Sequence, residues 1–219
     1  MKTISKLHYI TQEIPGKTHW QLAEEACRGG VEWVQLRIKG KSEDEWLDIA
    51  LKTLAVCEKY GSKLIVNDNV AIARETNADG VHLGKTDMDV TEARRILGDN
   101  AIIGATANTW NDVKILAGKM VDYIGLGPYR FTPTKEKLSP VLGLAGYEYI
   151  TRQCAAQKVK IPIIAIGGIL KTDIIPLLEA GVHGVAIASS IGLAPGVPEA
   201  AADFIKLLNH KPDALTNSR

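Results

Sequence analysis

The sequence predicts an α/β fold of one domain, a (β/α)8 TIM barrel. Three observations predict it. Short apolar runs with β-branched residues alternate eight times with longer stretches of helical spacing. Several runs are apolar on both faces, as in a parallel sheet covered by helices outside and filled by side chains inside. The first run continues as LHYITQEIPGK, without the Gly-rich fingerprint that a doubly wound open sheet usually carries there.

The candidate strands are LHYI (7–10), WVQLRI (33–38), KLIVN (63–67), GVHL (80–83), AIIGAT (101–106), YIGLGP (123–128), PIIAIGG (162–168) and GVAIASS (184–190). Helical spacing fills 18–29, 42–60, 69–76, 89–98, 109–120, 144–157, 171–180 and 198–208. In 42–60, Trp46, Ile49, Ala50, Leu54 and Cys57 share a face. Ser42 and Glu45 form a capping-box pattern at its start. Gly61, Gly98 and Gly181 stand where helices should stop. No linker or composition break divides the chain, so residues 1–210 read as one catalytic barrel and 211–219 as a flexible C-terminal tail.

Of the 219 residues, 46% are hydrophobic and 23% charged, enough for a sizeable core. The net charge of +1 and the lack of a clustered basic patch argue against a nucleic-acid surface. Cys27, Cys57 and Cys154 are widely spaced and form no CxxC pair, so reduced thiols and a cytoplasmic setting are expected. The longest apolar stretch, IPIIAIGGI, is too short to span a bilayer, and MKTISKLHYIT lacks a signal-peptide core. Oligomeric state is not legible; a homo-oligomer stays open.

The chemistry of such barrels gathers at the C-terminal ends of the strands. In WVQLRIK, Gln35, Arg37 and Lys39 alternate with Leu36 and Ile38, so the three polar groups share one face of an otherwise buried strand. Two cations there require an acidic partner or an anionic ligand. Asn67 and Asp68 end the third strand, Asp87 lies just beyond the fourth, and Thr106 and Asn108 end the fifth. Asp68 and Asp87 beside a basic cluster suit Mg2+ held with substrate phosphates, or else salt bridges to Arg37 or Lys39. Gly167-Gly168 after strand seven and Ala188-Ser189-Ser190 after strand eight suit a phosphate cradle, or else tight turns. Thr132, Thr134 and Lys135 form either a lid over a diphosphate or an ordinary solvated loop. His82, between Val81 and Leu83, reads as a satisfied core histidine rather than a base. Asp79 precedes strand four and faces the stability end.

QLRIK, VNDN, DGVHLGKTD, GLGPYRFTPTK, IPIIAIGGI and GVAIASS, in this order over about 7–208, together resemble the thiamine-phosphate synthase (thiamine-phosphate pyrophosphorylase) family. The resemblance implies a transferase. Its substrates would be 4-amino-5-hydroxymethyl-2-methylpyrimidine diphosphate and a thiazole phosphate, and its products thiamine phosphate and diphosphate. It implies that Gln35, Arg37, Lys39 and Asn67 hold the pyrimidine diphosphate and that Asp68 and Asp87 carry Mg2+. Thr132, Thr134, Gly168, Ala188 and Ser189 would take the thiazole phosphate, and Lys135 the diphosphate. Thr106 stands where the family usually has serine. On this reading Arg37, Lys39, Thr106 and Lys135 are the catalytic set. Asn69 and Asn108 depart from the usual arginine and histidine. The rivals are a thiazole tautomerase on the same barrel, another phosphate-binding barrel such as a sugar-phosphate epimerase, and a non-catalytic barrel that binds thiamine intermediates. Neither a membrane nor a nucleic acid is expected as partner.

Overall fold

In the computed structural model, which describes residues 2–131 and 140–210, eight parallel strands close into a barrel in chain order. They are β1 (Leu7–Ile10), β2 (Trp33–Leu36), β3 (Lys63–Asn67), β4 (Gly80–Leu83), β5 (Ile102–Ala107), β6 (Tyr123–Leu126), β7 (Ile163–Ile166) and β8 (Gly184–Ile187). β1 pairs with both β2 and β8, which completes the ring. The helices are α1 (His19–Arg28), α2 (Glu43–Tyr60), α3 (Val70–Glu75), α4 (Val90–Leu97), α5 (Trp110–Ala117), α6 (Gly143–Ala156), α7 (Ile174–Glu179), α8 (Ser189–Gly192) and α9 (Val197–Leu208). The predicted 171–180 helix divides into a 3-10 turn, Lys171–Asp173, followed by α7. The predicted 211–219 tail lies outside the described residues.

Local signals set the helix ends. Ser42 accepts the Glu45 N–H while the Glu45 side chain accepts the Ser42 N–H, a reciprocal cap at the start of α2. Thr18 and Gln21 do the same for α1. Gly61 ends α2 in the left-handed conformation, where a Cβ would be strained.

Strand alternation divides the core in two. One layer packs strands against helices and holds Val34, Leu36, Val66, Val81, Leu83, Ile103 and Ile124. The other fills the barrel and holds Trp33, Ile65, Ile102, Tyr123 and Ile164. Trp33 stacks on His8, with ring centroids 4.3 Å apart. Glycines on β5 and β6 make room for the rings inside. A Cβ on Gly104 would sit 2.1 Å from the Tyr123 ring, and one on Gly125 would sit 2.8 Å from His82 Cε1. Asp79, at the other end of the barrel, accepts the Leu64 N–H at 2.9 Å and pairs with Lys63 at 3.2 Å. Its place at the stability end is structural, as expected.

Several strands are shorter than predicted. β2 stops at Leu36, so Arg37 and Lys39 leave the strand and stand on the following loop. The cause is visible at Arg37, whose N–H donates to the Thr11 side-chain hydroxyl instead of a backbone carbonyl. β6 stops at Leu126 and β7 at Ile166. β8 stops at Ile187, and Ser189 and Ser190 open the short helix α8 rather than extending the strand.

Candidate active site

Inward-facing positions of the strands end in a cavity of about 700 Å3 at the C-terminal mouth. Gln35, Arg37, Lys39, Asn67, Asp68, His82, Asp87, Thr106, Asn108 and Tyr123 line it. Gln35 is buried on β2, Arg37 is half-buried and Lys39 is exposed. The two-residue period therefore carries past the end of β2 and still delivers all three to one space.

A second cavity of about 90 Å3 adjoins the first. Ile10, Arg37, Pro128, Ile166 and Ala186 line both. Its remaining walls include Gly167, Gly168, Ala188 and Ser189. Gly167 and Gly168 both have positive φ, 94° and 68°, which L side chains rarely adopt. A Cβ on Gly168 would also stand 2.4 Å from Arg130 Cγ.

The two carboxylates converge. Asp68 leaves β3 with φ 65° and donates its N–H to the His82 carbonyl at 2.8 Å. Asp87 Oδ2 accepts the Gly84 N–H at 2.6 Å. Burial pushes the Asp68 carboxyl up to about 7. A hydrogen bond with Asp87 and the repulsion of its charge push the same way, against the nearby Arg37 charge and an Asn67 hydrogen bond. Each carboxylate thus disfavours the charge of the other.

Beneath them runs a buried polar chain. His82 Nε2 lies 3.0 Å from Thr106 Oγ1, and Nδ1 lies 3.0 Å from the Tyr123 hydroxyl. The Gln35 side chain hydrogen-bonds the same hydroxyl. His82 is the satisfied buried residue the sequence predicts, yet it also forms cavity wall. His8, nearby, is held well below its usual range by burial and by the facing His82.

The two departures from the family pattern have local structural uses. Asn69 caps α3, its Oδ1 accepting the Ile72 N–H at 3.0 Å. Asn108 Nδ2 donates to the Gly127 carbonyl, and its N–H donates to Asp112 Oδ2 at 2.9 Å.

Sequence reasoning missed Arg130 and Asp173. Arg130 Nη1 and Nη2 donate to Asp173 Oδ2 and Oδ1 at 2.6 and 2.9 Å, and Nη1 also donates to the Gly168 carbonyl at 2.7 Å. The fork ties the segment after β6 to the glycine turn after β7. Burial alone would raise the Asp173 carboxyl; Arg130 and the Leu170 N–H outweigh it and hold it below the usual range. Tyr147 is fully buried and donates to the Leu126 carbonyl, whereas half-buried Tyr129 packs between it and Arg130. Thr132, Thr134 and Lys135 lie outside the described residues.

Comparison with known proteins identifies the family. Residues 7–191 match the family described as Thiamine monophosphate synthase. A thiamine-phosphate synthase of Flavobacterium johnsoniae is 46% identical over 187 residues, spanning 85% of this chain and 88% of that protein. One from Bacteroides fragilis is 44% identical over 189 residues, spanning 86% and 93%. Among solved structures, a thiamine phosphate pyrophosphorylase from Pyrococcus furiosus has a TM-score of 0.81 and 32% identity, spanning 93% of this chain and 95% of that one. An orotidine 5'-phosphate decarboxylase from Pyrococcus horikoshii, at 14% identity and TM-score 0.66, shares the fold alone. With residues 7–191 matched by the family model and a 46% identical relative spanning 85% of its length, the chain belongs to the thiamine monophosphate synthase family.

Proposed function

We propose that this chain joins 4-amino-5-hydroxymethyl-2-methylpyrimidine diphosphate to 4-methyl-5-(2-phosphoethyl)thiazole, or its carboxylated form, giving thiamine phosphate and diphosphate. One observation carries the reading. Gln35, Arg37, Lys39, Asp68 and Asp87 converge on a single cavity that opens onto the pocket at Gly168 and Ser189. One space thus offers cations and carboxylates for a diphosphate, and its neighbour offers backbone amides for a phosphate.

Mg2+ fits the residues present. Asp87 Oδ2 and Asp68 Oδ1 both approach one point, lying 2.8 and 3.9 Å from where a Cβ on Gly84 would stand. A hard divalent cation suits the same pair, and the two carboxylates would hold it together with substrate phosphates. When bound, Mg2+ neutralises charge on the diphosphate leaving group.

The remaining work falls to side chains. Arg37 and Lys39 meet the charge that grows on the departing oxygens, and Lys135 adds a third cation. Gln35, Asn67 and Thr106 orient the pyrimidine diphosphate. Thr132, Thr134, Gly168, Ala188 and Ser189 receive the thiazole phosphate. The methylene C–O bond breaks and its electron pair leaves with the diphosphate. The aminopyrimidine ring shares the positive charge, and the thiazole nitrogen lone pair then forms the new C–N bond. No protein nucleophile is required; holding two substrates in line supplies much of the acceleration.

We read the setting as cytoplasmic, since Cys27, Cys57 and Cys154 are free thiols. No helix among the described residues is long and apolar enough to cross a membrane.

The test is direct. The protein is incubated with both substrates and Mg2+, and diphosphate and thiamine phosphate are quantified. Equal yields of the two products support the reading; no diphosphate release removes it. Isomerisation of a thiazole carboxylate phosphate without diphosphate release would instead favour the tautomerase.

A further inference from the structure

Behind Arg37 stands a second polar chain, which touches the His82 network through Gln35. Arg37 N–H donates to Thr11 Oγ1 at 3.1 Å, across 26 residues of sequence. Thr11 follows β1, is completely buried, and donates its own N–H to the Gln35 carbonyl at 2.9 Å. His19, the buried first residue of α1, brings Nδ1 to 2.8 Å from the same hydroxyl. Its Nε2 lies 3.0 Å from Glu13 Oε1.

The donors and acceptors account for one another. A carboxylate only accepts, so the Glu13 contact calls for the proton on His19 Nε2. In the tautomer with that proton, Nδ1 accepts the Thr11 hydroxyl proton. The hydroxyl oxygen then accepts the Arg37 N–H. The contact sits where the β1–β2 ladder ends and the chain turns into the mouth. It holds the backbone at Arg37, the residue that lines both cavities.

We propose that Thr11 and His19, braced by Glu13, are positioning residues for Arg37: they aim its guanidinium at the diphosphate of the substrate. The proposal rests on the function proposed above. Small displacements of an orienting cation are expensive in rate, because the interaction must be in place as charge develops.

The test compares wild type, Thr11→Val, Thr11→Ser, Arg37→Ala and the Thr11→Val, Arg37→Ala pair. Steady-state kinetics are measured for each substrate, and calorimetry with Mg2+ and inorganic diphosphate reads binding. Thr11→Val keeps the volume and loses the hydroxyl. It should lower kcat/KM for the pyrimidine diphosphate about tenfold and leave the thiazole phosphate KM within about twofold. Thr11→Ser should restore the rate. In the Arg37→Ala background, Thr11→Val should cost nothing further. Equal losses in both backgrounds, or an equal rise in thiazole phosphate KM, would mark a general loosening and overturn the proposal. If Thr11→Val does not fold, His19→Phe carries the same comparison. An active wild type matched by Thr11→Val overturns the proposal alone. A wild type that neither binds nor releases diphosphate overturns the functional reading and the proposal with it.

Discussion

His82 Nε2 and Thr106 Oγ1 stand 3.0 Å apart across the β4–β5 pair, and both are buried against the floor of the larger cavity. The ring is held from its other side by the Tyr123 hydroxyl. Thr106 is therefore not a free rotor, and its hydroxyl is aimed by a neighbour that is itself aimed. Thr106→Val should lower kcat about tenfold or more with the melting midpoint little changed, and Thr106→Ser should recover most of the loss. Steady-state rates with melting curves of the three proteins check this. Equal activity in Thr106→Val would take the hydroxyl out of the reaction.

The space that holds this chain depends on two missing side chains. A Cβ on Gly104 would stand 2.1 Å from the Tyr123 ring, with the surrounding barrel interior already filled. Gly104→Ala should destabilise the fold by about 1–3 kcal/mol, a fall of roughly 3–10 °C in the melting midpoint. Gly125→Ala meets only the edge of His82, so it should cost less stability and more activity. Thermal melts set beside rates separate the two; a Gly104→Ala protein as stable as wild type would contradict the packing argument.

Asp87 is anchored within its own loop, through the Gly84 N–H. Removing it leaves the core untouched. Asp87→Ala should lower diphosphate release by about 100-fold and raise the Mg2+ concentration needed for half-maximal rate, while the melting midpoint moves by no more than about 1 kcal/mol allows. A Mg2+ titration of the rate is the measurement. Full activity of Asp87→Ala at low Mg2+ would remove this carboxylate from the metal role.

The Arg130–Asp173 fork makes a prediction with a sign in pH. The Asp173 carboxyl sits below its usual range when folded. A depressed carboxyl contributes stability that is fully present above its unfolded pKa, near 3.9, and is lost as pH falls through the lower folded value. Asp173→Asn should therefore melt below wild type by about 1–3 kcal/mol at pH 7, a gap that closes as pH falls below about 4. Melting both proteins from pH 7 to pH 3 tests it. A gap of constant size would mean that the charge is not what holds the fork.

Much of this molecule is legible in the chain itself. The eight apolar runs, the Ser42–Glu45 cap and the glycine stop at Gly61 are local statements, written within a few residues, and the barrel follows from them. The alternation in WVQLRIK likewise says that Gln35, Arg37 and Lys39 face one way, and they reach one cavity although β2 ends first. Other features have no local signal. Thr11 meets Arg37 across 26 residues, His82 meets Tyr123 across 41, and Arg130 meets Asp173 across 43. No periodicity or cap pattern encodes such pairs, because each depends on where barrel closure brings side chains from different units. The sequence by itself determined the fold and brought Gln35, Arg37, Lys39, Asn67, Asp68, Asp87 and Thr106 to the mouth. Only the tertiary structure decided which hydroxyl ends β2, which ring steadies Thr106 and which fork ties the glycine turn. The physical reason is that backbone order is set by neighbours along the chain, whereas buried hydrogen bonds are satisfied by whatever the closed barrel places within reach.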